Sequence, residues 1–167
     1  MKIKFETILD HNAIQHKIKR IAFQIYESNS FEDEVILAGI SENGYVFAQR
    51  LAETLKNISP LKTTLCKVTM DKKNPLGTVT TSLNTSQYKN KSIVLIDDVL
   101  NSGTTLIYGV KHFLDVPLKR FKTAVLINRN HKKYPVKADF KGISLSTSLN
   151  ESIKVVFEKG NDSAILE

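Results

Sequence analysis

Two adjacent carboxylates, Asp97 and Asp98, directly follow the apolar run Ile93–Ile96. Neighbouring carboxylates repel each other unless donors or positive charge compensate them. The hydroxyl groups of a ribose would supply donors, and Mg²⁺ with its waters would supply positive charge. The pair therefore predicts a sugar site at which Asp97 and Asp98 hold magnesium, directly or through water.

The residues after this pair have the types that a phosphate needs. Gly103 permits a tight turn, and a predicted helix begins at about Thr104 with unpaired N–H groups and a dipole that favour an anion. Read singly, these are also ordinary turn and capping residues, but the whole run favours a ligand with a sugar and a phosphate. The predicted binding segment consists of Asp97, Asp98, Val99, Leu100, Asn101, Ser102, Gly103, Thr104 and Thr105.

The elements around this segment alternate between helices and strands. Apolar spacing predicts a helix after Asp10 and another over Tyr45–Lys56, and short apolar runs predict strands at Val35–Ile40, Ile93–Ile96 and Thr123–Ile127. Further strands are expected at Thr63–Thr69, Asp139–Gly142 and Ile153–Phe157. Alternation of this kind predicts an α/β fold, a mainly parallel open sheet with helices on both faces.

Ligands in such sheets bind at the carboxyl ends of the strands, which here indicates two places. One is the segment from Asp97 to Thr105, and the other is a turn formed by Ser41, Glu42, Asn43 and Gly44. The polar stretch Met70–Leu83, with Lys72 and Lys73, predicts a mobile loop that contains a short hairpin.

The chain has 167 residues, which predicts one domain over residues 1–167. No apolar run approaches the roughly 20 residues that span a bilayer. The single cysteine, Cys66, cannot form an internal disulfide, so we expect a small buried side chain and a cytoplasmic protein. The net charge of +7 favours an anionic partner, either a phosphorylated small molecule or a nucleic acid.

The run Ile93–Thr105 resembles the phosphoribosyl pyrophosphate (PRPP) motif of the type I phosphoribosyltransferases: four apolar residues, two acids, two apolar residues, and a loop ending in Ser-Gly-x-Thr. Within that family the chain is similar to the bacterial pyrimidine-operon attenuators that also act as uracil phosphoribosyltransferases. Ala38-Gly39-Ile40, Arg129-Asn130-His131 and Tyr134–Phe140 extend this similarity, as does the ending Val155–Asp162.

The resemblance implies a type I phosphoribosyltransferase fold with a small hood, and transfer of a phosphoribosyl group from PRPP to a nucleobase, here uracil, with Mg²⁺. It implies that Asp97 and Asp98 hold the ribose hydroxyls and that Asn101–Thr105 hold the 5-phosphate. Lys72 and Lys73 would close over the leaving pyrophosphate, which the turn at Ser41–Gly44 receives. Ile143, Ser144 and Leu145 are the expected loop beside the base. A homodimer or larger homo-oligomer is also implied.

Basic residues of the family are replaced at three positions that handle pyrophosphate and phosphate. Asn43 precedes the glycine of the first turn, Lys72 and Lys73 stand where the mobile loop carries arginine, and Thr104 follows Gly103. Loss of one such contact costs roughly 10²–10³ in rate, so binding of the ribose phosphate is better supported than turnover. Asn101 replaces an acid found in purine-specific members, which favours a pyrimidine.

Two other functions compete with this one. The first is a regulator without turnover that senses PRPP or UMP and binds RNA through a basic face formed by Arg120, Lys122, Lys132, Lys133 and Lys137. The second is an α/β module for another phosphate compound, but the chain has neither a GxGxxG nor a GxxxxGK[ST] sequence.

Overall fold

The computed structural model describes residues 5–167. The chain forms nine strands and four helices within these residues. The strands are β1 (Glu6–Leu9), β2 (Glu34–Ile40), β3 (Lys62–Thr69), β4 (Thr80–Thr81), β5 (Ser92–Leu100), β6 (Arg120–Arg129), β7 (Phe140–Leu145), β8 (Ile153–Val156) and β9 (Ser163–Leu166). The helices are α1 (His11–Ser28), α2 (Ser41–Ile58), α3 (Thr85–Tyr88) and α4 (Thr104–Phe113).

Six strands form the main sheet in the order β4-β3-β2-β5-β6-β7. All neighbours in it are parallel except the short edge strand β4, which pairs antiparallel with β3. Of the polar stretch Met70–Leu83, in which a short hairpin was expected, β4 pairs with β3, which precedes the stretch, rather than with a second strand inside it. The predicted α/β class with a mainly parallel sheet is confirmed.

Two apolar layers cover the sheet, one on each face. Ile14, Ile18 and Ile21 of α1 pack with α2 residues against one face. Leu106 and Phe113 of α4 pack against the other face, where Cys66 is also buried as expected. Each fully buried large apolar side chain contributes roughly 1.5–3 kcal/mol, so these two layers fix the helices that frame the carboxyl edge of the sheet.

Helix α1 begins and ends where its sequence signals place it. Asp10 is its N-cap and accepts a hydrogen bond from the backbone N–H of Ala13 at 2.8 Å, because a cap carboxylate satisfies an N–H group that has no partner within the helix. The helix ends at Ser28, and Asn29 is its C-cap. The helix predicted after Asp10 is confirmed.

A second sheet, which we call the hood, contains the antiparallel strands β1, β9 and β8 in that order. Leu9, Val155 and Ala164 of the hood join the apolar layer on the α1–α2 face. Strands β1 and β9 were not predicted from the sequence. The hood thus closes one side of the edge at which β2 and β5 end.

Candidate ligand site at the carboxyl ends of β2 and β5

A cavity of about 420 Å³ lies at the carboxyl end of β5, and most of the predicted ribose-phosphate residues line it. Pro75, Leu106 and Val125, which the sequence did not indicate, complete its wall. The predicted residues that line it are Lys72, Lys73, Asp97, Val99, Leu100, Asn101, Ser102, Gly103, Thr104 and Thr105. The structure therefore brings the mobile loop and the predicted binding segment together.

Asp97 and Asp98 belong to strand β5 itself, which continues to Leu100 rather than ending at Ile96 as predicted. The strand continues because its ladder with β6 extends past the carboxylates, pairing Asp97 with Val125 and Val99 with Ile127. Asp97 is 2% exposed. Burial, and then the neighbouring Asp98 carboxylate, raise the pKa of Asp97 to about 8.

Lys72 provides the positive charge nearest to this pair. Its Nζ lies 3.3 Å from Oδ1 of Asp97 and 4.0 Å from Oδ1 of Asp98. This ammonium group opposes the rise in the pKa of Asp97 without cancelling it. Lys73 also lines the cavity, but no ion pair joins it to another residue in the range 5–167, so the two lysines are not equivalent.

The loop after β5 is held in one shape by Gly103 and by a neighbouring segment. Gly103 has φ +86° and is the N-cap of α4, and a Cβ atom there would lie 2.6 Å from Cγ1 of Val136. The carbonyl of Ser102 accepts hydrogen bonds from the N–H groups of Lys133 (2.7 Å) and Tyr134 (3.1 Å). In the first turn of α4 the N–H of Thr104 donates to the hydroxyl of Ser102 at 3.3 Å, so this turn follows directly on a loop that several hydrogen bonds hold in place.

Hydroxyl groups add to this anion site. The hydroxyls of Ser102 and Thr104 lie 2.8 Å apart, and Thr105 lines the same cavity. Because one of these two hydroxyls donates to the other, the pair has one hydroxyl hydrogen left for a ligand oxygen. The cavity thus brings these hydroxyl groups close to Asp97, whereas Asp98 is not among the residues that line it.

The predicted turn from Ser41 to Gly44 is instead the first turn of α2, which begins at Ser41. Ser41 has φ 55°, a left-handed conformation that is costly for a residue other than glycine. Gly44 lies so close to β5 that a Cβ atom there would be 2.9 Å from the carbonyl oxygen of Ile96. This close packing carries the turn next to Asp97.

Asn43 and Glu42 of this turn point to different partners. The side-chain amide of Asn43 donates to Oδ2 of Asp98 (3.1 Å) and to the carbonyl of Val155 in the hood (2.9 Å). Glu42 is exposed and pairs with Lys67, whose Nζ lies 2.8 Å from its Oε1. None of the four turn residues lines the 420 Å³ cavity, but Asn43 connects the turn to the carboxylate pair.

The expected base loop is wrong in one respect, because Ile143, Ser144 and Leu145 lie within strand β7. They pair with Ile127, Asn128 and Arg129 of β6, and this ladder makes the segment extended. Ser144 accepts a hydrogen bond from Nδ2 of Asn128 at 3.2 Å. The residues that follow β7, from Ser146 to Glu151, are the loop at this edge.

The predicted basic face is spread along strand β6. Arg120 begins that strand, whereas Lys132 and Lys133 follow its end. At 3.3 Å per residue, the length of β6 separates Arg120 from these two lysines by roughly 30 Å. Arg120 donates to the carbonyl of Ser28, and Lys137 lies 3.7 Å from Asp139. Lys132 and Lys133 are exposed beside the loop that contacts Ser102.

Arg129 had no predicted role beyond its place in the run Arg129-Asn130-His131. Its side chain is 8% exposed and contacts Asn101 and the loop after β7. A basic residue at the end of an otherwise buried apolar strand was the signal that could have indicated it.

Within the part of the chain that the structure describes, no helix is long and apolar enough to cross a membrane.

Comparisons with known proteins agree with this architecture. The "Bifunctional protein PyrR" of Clostridium botulinum (strain Eklund 17B / Type B) is 34% identical over 175 residues, which cover 98% of this chain and 96% of that protein. The protein of the same name from Fusobacterium nucleatum is 33% identical, covering 95% of this chain and 94% of its own length.

Solved structures show the same fold at lower identity. The hypoxanthine phosphoribosyltransferase of Trypanosoma cruzi superposes with a TM-score of 0.74 at 15% identity, covering 89% of this chain and 84% of that one. A hypoxanthine-guanine phosphoribosyltransferase from Bacillus anthracis superposes with a TM-score of 0.70 at 21% identity, and the match covers 87% of this chain and 84% of that one. The phosphoribosyl transferase domain model matches residues 4–158. The chain therefore belongs to the phosphoribosyl transferase domain family.

Proposed function

We propose that this protein is a pentosyltransferase that moves the phosphoribosyl group of PRPP to uracil, giving UMP and pyrophosphate. The observation that carries the proposal is the single cavity in which Asp97 and the Gly103–Thr105 turn meet. Its donors and acceptors match a ribose 5-phosphate, the part common to PRPP and UMP.

In the proposed reaction, the bond between ribose C1′ and the pyrophosphate oxygen breaks, and its electron pair leaves with pyrophosphate. N1 of uracil forms the new bond to C1′ and releases its proton to solvent. The carboxylates of Asp97 and Asp98 hold the ribose hydroxyls while the first turn of α4 holds the 5-phosphate. Lys72, 3.3 Å from Asp97, is the cation nearest to the developing negative charge.

Magnesium fits this site as part of a complex with the ligand. Within residues 5–167, no cluster of three or more His, Cys, Asp or Glu side chains could hold a metal ion. Asp97 and Asp98 would therefore provide one edge, directly or through water, and oxygens of PRPP would provide the other ligands. When bound, the ion would neutralise charge on the pyrophosphate.

Turnover is expected to be slow because the turn at Ser41–Gly44 contains no basic residue and its Glu42 is acidic. The pairing of Glu42 with Lys67 reduces this opposition to an anion. Missing basic contacts cost roughly 10²–10³ in rate each. The missing basic residue in this turn supports a second candidate function. In it, the protein is a regulator that binds UMP or PRPP without turnover and contacts RNA through exposed Lys132 and Lys133.

The deciding experiment measures pyrophosphate release from PRPP with Mg²⁺ in the presence of uracil, hypoxanthine, guanine, adenine, xanthine or orotate. Release with uracil alone supports the proposal, and loss of that release in Asp98→Asn but not in Asp115→Asn assigns it to the site. Asp115 is the matched control because it is exposed at the end of α4. Release with none of the bases, together with tight UMP binding and a salt-dependent RNA shift, supports the regulator.

We also propose that the protein forms a homo-oligomer and is located in the cytoplasm. Phe23 and Phe31, which are 47% and 98% exposed, support a contact between copies, since exposed aromatic side chains are common at interfaces. Sedimentation at several concentrations tests the expected homodimer or larger homo-oligomer. We expect a cytoplasmic location because a chain with a single cysteine has no internal disulfide and suits a reducing compartment.

A further inference from the structure

The segment from residue 71 to residue 77, which we call the Lys72 loop, lies between β3 and β4 and is largely exposed. Its backbone hydrogen bonds stay within the segment, for example from the N–H of Asn74 to the carbonyl of Asp71 at 3.0 Å. Among the residues that the structure describes, only Lys72 forms hydrogen bonds between this segment and the rest of the chain, and both reach Asp97. Lys72 is therefore the polar link that holds the loop beside the cavity.

The ammonium group of Lys72 lies in front of both oxygens of one carboxylate. Its Nζ is 3.3 Å from Oδ1 and 3.5 Å from Oδ2 of Asp97, and 4.0 Å from Oδ1 of Asp98. Mg²⁺ binds carboxylate oxygens at roughly 2.1 Å, and an ion bound through water would need the same space. Two cations this close repel each other, because a buried carboxylate is poorly screened by solvent. The ammonium and the ion therefore exclude each other.

Magnesium would compensate the carboxylates better than the ammonium does. Burial and then the Asp98 carboxylate raise the pKa of Asp97 more than Lys72 lowers it, so this pKa remains at about 8. The Lys72 side chain is also half-exposed, and an ion pair with a half-exposed lysine is weakened by solvent and by the lost freedom of the side chain. A divalent ion carries twice the charge, so we expect it to displace the ammonium.

We propose that Lys72 and magnesium are alternative counter-ions of Asp97 and Asp98, and that the arrival of the ion releases Lys72 and its loop from the carboxylates. This inference rests on the proposed function, in which PRPP brings magnesium to the pair. Without the ion, Lys72 is the positioning residue that keeps the loop over the cavity. With the ion bound, the released ammonium is available to the pyrophosphate group as negative charge builds on it.

Hydrogen exchange of the loop amides, measured by mass spectrometry on the full chain with and without Mg²⁺, tests the release. Added Mg²⁺ should speed exchange in the Lys72 loop of the native chain, because the loop loses its polar link. In Lys72→Met the loop should exchange quickly without the ion and show no further change with it. Lys73→Met is the matched control, because Lys73 lines the same cavity but forms no ion pair among the described residues. Both Lys73→Met and the charge-keeping Lys72→Arg should respond like the native chain.

Metal affinity tests the competition itself. Mn²⁺ prefers the same oxygen ligands as Mg²⁺ and can be titrated into each variant by electron paramagnetic resonance. Lys72→Met should bind Mn²⁺ about fivefold more tightly than the native chain, because no ammonium has to be displaced. Lys73→Met should change the affinity by less than about twofold, because an unpaired exposed charge is screened. A merely structural role for Lys72 would not make metal binding tighter when the lysine is removed.

Equal Mn²⁺ affinity of Lys72→Met and the native chain would overturn the inference, as would a Lys73→Met variant that responds like Lys72→Met. Slower loop exchange of the native chain with Mg²⁺ would also overturn it, since the ion and the ammonium would then act together. The same holds if no variant binds Mn²⁺. Calorimetry with ribose 5-phosphate on the native chain separates these failures from that of the proposed function. If the sugar phosphate binds, only this inference fails, and if it does not bind, both fail together.

Discussion

Asp97 is a buried carboxyl group whose ionisation costs stability. Its carboxylate is 2% exposed, adjoins Asp98, and among residues 5–167 forms an ion pair only with the half-exposed Lys72. A ligand with hydroxyl donors would relieve this cost by replacing the water that burial removed. Asp97 therefore favours binding over folding, as functional residues often do.

Substitution of Asp97 should stabilise the protein in a pH-dependent way. The folded-state pKa, about 8, lies above the ordinary value of about 3.9, so the folded state binds a proton that the unfolded state has lost. Stability is then greatest below the unfolded pKa and falls as the pH rises through this window. We expect Asp97→Asn to raise the free energy of unfolding more at pH 8.5 than at pH 5, measured by urea unfolding.

Asp115→Asn is the control, since Asp115 is exposed and should show almost no such pH dependence. The same Asp97→Asn variant should bind ribose 5-phosphate at least tenfold more weakly, because an amide is a poorer acceptor for two hydroxyl donors. A variant that is equally stabilised at both pH values would contradict the assigned cause.

The residue types of the candidate site could be proposed from the sequence, but the pairings between their side chains could not. The carboxylate pair and Gly103 could be predicted because each type has a distinct physical task. The choice between Lys72 and Lys73 could not, because it depends on how the loop packs over β5. Arg129 was missed since its role appears only when the loop after β7 folds back on it.

Helix α2 shows how strain enters at the level of an element. It begins immediately after β2 at Ser41, with Ile40 as an N-cap that offers no side-chain hydrogen bond. The abrupt start requires φ 55° at Ser41. Tyr45 was the predicted start because Ser41–Gly44 has the composition of a turn, and composition does not reveal a helix that begins without a cap.

Ser41→Gly should relieve this strain. A left-handed residue other than glycine costs roughly 1–2 kcal/mol, and glycine loses roughly 0.5–1 kcal/mol more backbone entropy on folding. We therefore expect a net gain in stability of up to about 1 kcal/mol in urea unfolding.

Ser30→Gly is the matched control for this change. Ser30 is exposed and does not have positive φ, so only the entropic cost applies and the variant should lose stability. Equal losses in the two variants would show that the conformation at Ser41 is not strained.

The strands divide into those that sequence could predict and those that depend on tertiary pairing. β2, β5 and β6 are buried on both faces, so their continuous apolar runs identified them. β2 ends at Ile40 as predicted, but the ends of β5 and β6 were misplaced because pairing extends β5 through two aspartates and β6 to Arg129. β1 and β9 have four residues each and form only by pairing with each other and with β8, which no local pattern reveals.

At the scale of the whole molecule, Asp162 fastens the hood to the main domain. Its buried carboxylate accepts two hydrogen bonds from Arg50 of α2, at 2.9 and 3.2 Å, and one from Gln15 of α1 at 2.7 Å. It also accepts from the backbone N–H of Glu158 in the turn between β8 and β9. One side chain thus joins both helices of one face to the hood.

The hood is also joined to the ligand site, because Asn43 bridges the carbonyl of Val155 in β8 and the carboxylate of Asp98. Loosening the hood at Asp162 should therefore reach Asp98 through β8 and Asn43. This physical connection couples an ion pair outside the cavity to the orientation of Asp98, the carboxylate proposed to hold a ribose hydroxyl.

We expect Asp162→Ala to lower stability by about 3 kcal/mol, because removing one partner of a buried pair leaves Arg50 uncompensated. For a chain of this size the melting temperature should fall by roughly 6–12 °C. Asp115→Asn should shift it by less than about 2 °C, as exposed substitutions do. At a temperature where Asp162→Ala is folded, its ribose 5-phosphate affinity should also be reduced, whereas an affinity equal to that of the native chain would show that the hood does not position Asp98.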